Sequence, residues 1–330
     1  MRAAFAMNTT SFERVVDERL AERLQRSVDL VREPLAEFAS PQARAVLADV
    51  ELLVTGWGCP VLTPEVVASA PRLRAVVHAA GSVRHHVTGA VWDRGIAVSS
   101  AAAANALPVA EYTVAMVLLA GKNVLAAADA YRAQRSRAAT RVSDTGGNHG
   151  ATVGVLSASL VGRRVLELLR PFDLHVLVHD PFVPGDVVRA LGAEPVGLAE
   201  LAERSDVFSV HTPLLPETRG LVDAPLLARL RDGATLINTA RGAVVDPAAL
   251  TAELLSGRLN AVLDVTDPEP LPIDSPLWDL TNVLLTPHVA GSLGNELRRL
   301  TDSAAQEVER FAAGLPFAHP VAHPALSRTA

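Results

Sequence analysis

The sequence predicts an α/β protein built on parallel sheets. Three observations carry that expectation. Short β-rich runs alternate with helical patterns over the first hundred residues, and residues 152–180 contain a complete strand–turn–helix–strand unit. Beyond that unit the alternation resumes, giving six strand-like runs between 153 and 285. Strands that alternate with helices form crossover units, and such units build parallel sheets. A chain of 330 residues holds two domains of ordinary size.

In chain order, Ala3–Met7, Val28–Val31, Glu51–Thr55, Ala75–His78 and Ile96–Ser99 read as strands, with helical patterns at Phe12–Gln25 and Pro64–Ala70. The loops Gly56-Trp57-Gly58 and Ala80-Gly81-Ser82 follow two of these strands. Ligands gather beyond the carboxyl ends of parallel strands, so Trp57, Ala80, Gly81 and Ser82 are candidate substrate contacts. Pro108–Arg132 is the longest helical pattern, and Ser136–Gly150 reads as a polar linker.

The central unit reads TVGVLSASLVGRRVLELLRPFDLHVLVHD. Val153–Leu156 is an apolar strand, Gly162 opens a pattern with Val165, Leu166, Leu168 and Leu169 at helical spacing, and Leu174–Val178 is the second strand. Asp180 stands where a carboxylate would accept hydrogen bonds from the ribose of a dinucleotide. A dinucleotide fingerprint would place glycines at 157, 159 and 162; this chain has Ser157, Ser159 and Gly162. Further strands are expected at Val207–Val210, Thr235–Ile237, Ala261–Val265 and Val283–Leu285. Helices are expected at Leu198–Arg204, Pro225–Leu230, Pro247–Leu255 and Leu293–Ala313, before a tail at Gly314–Ala330.

Composition narrows the functional classes. With 49% hydrophobic and 20% charged residues the chain is globular, and a net charge of −6 argues against a general nucleic-acid binder. One basic cluster, Arg132, Arg135, Arg137 and Arg141, reads as a solvated helix end. Cys59 is the single cysteine, which excludes an intrachain disulfide and a thiolate metal site; no metal cage suggests itself among the histidines either. The N-terminus lacks an apolar signal core and Val114–Ala120 is too short to span a bilayer, so a cytoplasmic protein without membrane partners is expected.

Chemistry concentrates past three strand ends: Asn238–Gly242 with Arg241, Asp264–Pro270 with Glu269, and Thr286-Pro287-His288. An arginine can grip a carboxylate through two parallel hydrogen bonds. A histidine held by a carboxylate is a standard device for moving a proton near neutral pH.

The segments NALPVAEYTVAMVLLA (105–120), VFSVHTPLLPETRGLV (207–222), LINTARGAVVDPAAL (236–250), LDVTDPEPLP (263–272) and LLTPHVAGS (284–292) resemble the D-isomer-specific 2-hydroxyacid dehydrogenase family. The DVT-x-PEPLP stretch is very similar to that of glyoxylate/hydroxypyruvate reductases. The resemblance implies two Rossmann-like or flavodoxin-like α/β domains, the cofactor domain inserted in the substrate domain. Residues 109–292 would bind NAD, and 1–108 with 293–330 would form the substrate domain. It implies that Arg241 binds the carboxylate of a 2-oxo or 2-hydroxy acid, that His288 is the acid/base, and that Glu269 orients His288 and stabilises its protonated form. Asp264 would hold the nicotinamide carboxamide. Ser159, Leu160, Val161, Asp180, His211, Thr212, Pro213, Thr218, Thr239, Ala240 and Gly291 would line the cofactor, and a homodimer is expected.

Two departures stand out. The family has glycines at 157 and 159, and an acidic residue near position 84, where this chain has Arg84. The serines place dinucleotide affinity in question, and Arg84 the substrate. Asp180 favours NAD over NADP, because a carboxylate there repels a 2′-phosphate. A non-catalytic NAD(H)-sensing interaction protein on the same fold, as in the C-terminal-binding-protein corepressors, is the alternative that the altered turn motivates. Formate or phosphite oxidation is a further enzymatic alternative; Glu269 counts against formate, whose dehydrogenases pair the histidine with glutamine.

Overall fold

The structure, a computed structural model, describes residues 1–136 and 146–322. The chain divides into two compact units, one of Met1–Asn105 with Ser292–Ala330 and one of Ala106–Gly291. Arg137 and Arg141 of the basic cluster, part of the expected linker and the end of the tail lie outside the described residues.

In the first unit β1 (Arg2–Ala6), β2 (Asp29–Leu35), β3 (Leu52–Thr55), β4 (Ala75–His78) and β5 (Ala97–Ser100) form a sheet of order β2-β1-β3-β4-β5. All its pairings are parallel. Successive side chains point to opposite faces, and both faces are buried. Phe5, Val54 and Val77 enter one core, while Ala4, Ala6, Leu53 and Val76 enter the other. This explains why these strands read as continuous apolar runs rather than alternating ones.

The pattern expected as one helix over Phe12–Gln25 is two helices, Thr9–Val15 and Glu18–Gln25. Asp17 divides them: its side chain accepts from Leu20 N at 2.8 Å and starts the second. Glu18–Gln25 is pinned to the helix Leu297–Ala312, where Arg23 grips Glu309 through two bonds of 2.7 and 2.8 Å. The chain then returns to the sheet. Buried Glu307 accepts from Ala318 N and His319 N, and Val321 N donates to Val98 O at 2.8 Å.

The second unit has seven parallel strands: β6 (Thr152–Leu156), β7 (His175–His179), β8 (Glu194–Pro195), β9 (Val207–Val210), β10 (Thr235–Asn238), β11 (Asn260–Leu263) and β12 (Val283–Leu285). Their order is β12-β11-β10-β9-β6-β7-β8. The sequence anticipated six. The seventh, β8, is a two-residue edge strand ending in proline and carries no apolar run to announce it. Order reverses between β6 and β9, the switch point where doubly wound sheets bind ligands.

The long helix runs Ala102–Gly121 rather than starting at Pro108, which lies inside it. It stops before Asn123, whose left-handed backbone (φ 51°) precedes a second helix, Val124–Gln134. Although Ala102–Gly121 has a hydropathy of 1.5, its Ala110, Val114 and Val117 are buried in the core with Val153, Val165 and Ile237. It is a core helix.

At the carboxyl edge of the first sheet, buried Thr55 Oγ1 lies 2.9 Å from His78 Nδ1 and 3.2 Å from His86 Nε2. A hydroxyl has one proton, so it can donate to at most one ring, and at least one of the two rings must donate to it. Burial, with added repulsion from His86 and His85, pushes His78 down to about 3; burial and His85 push His86 down to about 4. Both are therefore neutral in the folded protein and gain protons only on unfolding, below their ordinary 6.5. The unfolded state binds more protons throughout that window, so stability is full above 6.5 and falls as pH drops towards 4, by about 1.4 kcal/mol per pH unit for each ring. Urea unfolding midpoints are expected to hold above neutrality and decline steeply in mild acid. A flat profile in mild acid contradicts the assignment.

Candidate active site

Because every strand of the second sheet runs the same way, its carboxyl ends share one edge. The residues expected to carry chemistry in this unit follow those ends. Arg241 follows β10, Asp264 and Glu269 follow β11, and His288 follows β12.

His288 Nδ1 lies 2.7 Å from Glu269 Oε1. Their side chains are 52% and 43% exposed, so the pair is solvent-accessible within its unit. Arg241 Nη1 donates to its neighbour's carbonyl, Ala240 O, at 2.7 Å. The next residue couples the Arg241 turn to the Glu269 loop. A Cβ on Gly242 would stand 2.0 Å from the backbone carbon of Thr266, so only glycine lets the two segments touch. Behind this contact lies a hollow of about 440 Å³ lined by Gly242, Thr266, Pro268 and Leu277, but not by Arg241, Glu269 or His288.

The His288 loop is held by Asp264, which is 2% exposed. Asp264 Oδ1 accepts from Thr286 Oγ1 at 2.6 Å and from Val289 N at 2.8 Å, and Oδ2 accepts from Ala290 N at 2.9 Å. Its carbonyl also accepts from His288 N at 3.0 Å. Since Thr286 gives its proton to Asp264, the Tyr112 hydroxyl 2.8 Å away is the donor to Thr286. These bonds hold His288 at φ 54°, a left-handed conformation that costs a side-chain-bearing residue about 1–3 kcal/mol. Asp264 is thus first of all the anchor of this loop, a role that its expected contact with a nicotinamide carboxamide did not suggest. Tyr112 was legible only as part of a motif.

The turn after β6 is tied internally. Ser157 has φ 81°, and its Oγ donates to Asp180 Oδ2 at 3.0 Å. Ala158 N donates to the same oxygen at 2.9 Å, and Phe182 N to Asp180 Oδ1 at 2.9 Å. Ser159 caps the helix Leu160–Leu169, accepting from Gly162 N and donating to His211 O at 2.8 Å. Gly162 has no room for a side chain, since a Cβ would meet Ser157 O at 2.0 Å. Leu160, half exposed, and Val161 open the helix with amide groups that have no partner within it.

Other expected cofactor residues fall into two groups. Ala240, Gly291 and Thr218 are partly accessible, and Thr218 closes its own loop by donating to Pro213 O at 2.6 Å. Thr212, Pro213 and Thr239 are buried; Thr212 Oγ1 donates to Leu156 O and Thr239 Oγ1 meets Thr113 Oγ1 at 3.1 Å. His211 is 3% exposed, and burial pushes it down to about 3. Its Nε2 pairs with Ser209 Oγ at 2.8 Å and its buried Nδ1 has no partner. Its side chain supports the turn from beneath.

In the first unit Trp57 is 39% exposed and Gly81 and Ser82 are partly accessible, past the neighbouring ends of β3 and β4. Ala80 is fully buried, with its carbonyl taken by Ala101 N. Its side chain packs inward and shapes that loop.

Residues 114–290 match the family model described as D-isomer specific 2-hydroxyacid dehydrogenase, NAD binding domain. The chain is 33% identical over 249 residues to the (S)-sulfolactate dehydrogenase of Chromohalobacter salexigens, covering 74% of this chain and 80% of that protein. It belongs to the D-isomer specific 2-hydroxyacid dehydrogenase family. Within that family it is also 36% identical over 252 residues to the D-3-phosphoglycerate dehydrogenase of Mycobacterium leprae, covering 76% of this chain. The chain spans about half (47%) of that relative's length. The crystal structure of the TT0316 protein from Thermus thermophilus superposes with a TM-score of 0.76 at 28% identity, covering 98% of this chain and 100% of that one.

The residues present fit the dinucleotide of this dehydrogenase family: a helix whose first amides have no partner within it, glycine where that helix comes closest to the Ser157 backbone, and a carboxylate past the neighbouring strand end. Removing the Asp264 carboxylate strands one buried amide, one part-buried amide and a hydroxyl, each costing about 1 kcal/mol. Asp264→Ala is expected to lower unfolding free energy by about 3 kcal/mol in urea titrations. A loss below about 1 kcal/mol would mean that the loop is held otherwise.

Proposed function

We propose that this chain transfers a hydride between NAD(H) and a D-2-hydroxy acid or its 2-oxo counterpart. The 2.7 Å bond between His288 and Glu269 carries this conclusion. With Nδ1–H given to Glu269, the Nε2 of His288 is left to take a proton from a substrate hydroxyl, or to return it to a 2-oxo oxygen. Glu269 fixes the ring and stabilises the imidazolium formed on the way. Arg241 holds the substrate carboxylate and polarises the 2-oxo group. The bound dinucleotide supplies or accepts the hydride. Residues 109–292 bind NAD, and 1–108 with 293–330 form the substrate domain through Trp57, Gly81 and Ser82. Asp180 disfavours the 2′-phosphate of NADP.

The relatives' names point to substrates bearing a second acidic group, phosphate or sulfonate. Arg84, exposed in the loop after β4, supports extending the assay panel from glyoxylate and hydroxypyruvate to 2-oxo acids of that kind. A cytoplasmic homodimer is part of the same proposal. The helix Val124–Gln134 has no buried residue although it carries Val124, Leu125, Ala127, Ala128 and Tyr131, the last 57% exposed. Those side chains suit burial against a second copy.

His288→Ala is expected to reduce NADH-dependent turnover at least about 100-fold while NADH binding, followed by fluorescence, persists. Undiminished turnover would sink the assignment; wild-type binding without turnover across the panel would favour the sensing protein instead. In light scattering the chain is expected to be a dimer, shifted towards monomer by Tyr131→Asp. A monomeric wild type rejects the dimer.

A further inference from the structure

The two serines that replace fingerprint glycines are not available as phosphate ligands, because each hydroxyl has one proton and has already given it away. Ser157 donates to Asp180 and Ser159 to the His211 carbonyl. The consequence falls on Asp180. An ionised carboxylate offers about four acceptor positions, two on each oxygen. Ser157 Oγ and Ala158 N fill those of Oδ2, and Phe182 N takes one of those on Oδ1. A ribose diol, which brings two hydroxyl donors, finds one open position where glycine at 157 would leave two.

We propose that Ser157 sets coenzyme affinity and selectivity by occupying the ribose-facing carboxylate of Asp180. This rests on the dehydrogenase function proposed above and adds to it a residue that tunes the cofactor. The backbone is consistent with a retained hydroxyl. Ser157 sits at φ 81°, where glycine is at ease and serine is strained, and is held there by its N–H on His179 O at 2.9 Å and its Oγ on Asp180. Its proton also draws charge from the carboxylate, which weakens both the grip on ribose and the repulsion of a 2′-phosphate. The wild type should therefore bind NADH loosely for its fold and discriminate less sharply than a glycine-bearing turn.

The test is fluorescence titration of the purified full chain with NADH and with NADPH, for the wild type, Ser157→Gly and Ser157→Ala. Alanine keeps the Cβ and the backbone demand of serine but removes the hydroxyl, so it separates the hydrogen bond from backbone freedom. Both variants are expected to lower the NADH Kd about tenfold, the effect of one regained charge-assisted bond, and to widen the NADH/NADPH ratio. Unchanged or weaker NADH binding in both variants overturns the proposal, as does tightening by glycine alone or equal tightening towards NADPH. A wild type that binds neither dinucleotide overturns the dehydrogenase function itself, so the two failures are told apart.

Discussion

The buried carboxylate of Asp264 is the constraint on which the candidate site depends. A carboxylate 2% exposed is costly to bury without hydrogen-bond donors, and the donors it recruits are the amides of Val289 and Ala290 and the hydroxyl of Thr286. Satisfying this one carboxylate thereby fixes the segment 286–290, His288 included. The left-handed backbone of His288 is then a consequence of the anchor: the loop has no freedom to relax it. Glu269 approaches from the same strand end, and Gly242 lets the Arg241 turn rest on Thr266. Three separate segments are thus registered against one carboxylate and one glycine.

The sheet supplies the coarse placement. Parallel pairing from β8 through β12 delivers every carboxyl end to one edge, so residues 157, 180, 211, 241, 264 and 288 meet there without a long loop. The strands tolerate this arrangement only because both faces are covered. Leu156, Phe208 and Leu236 pack into one core, and Val153, Val207 and Ile237 into the other.

Most strands and the placement of Arg241, Glu269 and His288 past strand ends were legible because apolar runs and strand-end polar clusters are local signals. What stayed hidden depended on contacts between distant segments. The break at Asn123 and the extension of the helix ahead of Pro108 went unread, because proline suggested a helix start and a left-handed asparagine has no periodic signature. Burial was equally invisible. His211, Ala80 and Thr212 stand in loops that sequence marks as ligand-lining, and the fold turns their side chains inward. The fate of the serines could not be read either, since a hydroxyl's usefulness depends on whether its single proton is already given away, here to Asp180 and to His211 O.

The two ends of the site are built by the same device used to different degrees. In each, an aspartate after a strand holds a turn in which a residue other than glycine adopts positive φ: Asp180 with Ser157, Asp264 with His288. Asp264 is enclosed and its observed hydrogen bonds lie within the protein, and the histidine it positions is the group that reaches outward. Asp180 is only partly buried, and its partners Ser157 Oγ, Ala158 N and Phe182 N leave one of its roughly four acceptor positions open to the proposed ligand. Rigidity at Asp264 holds the loop that carries His288, as the proposed proton transfer requires. On the proposal made above, rigidity at Asp180 is gained at the expense of recognition, which would set this chain's turn and its coenzyme against each other at position 157.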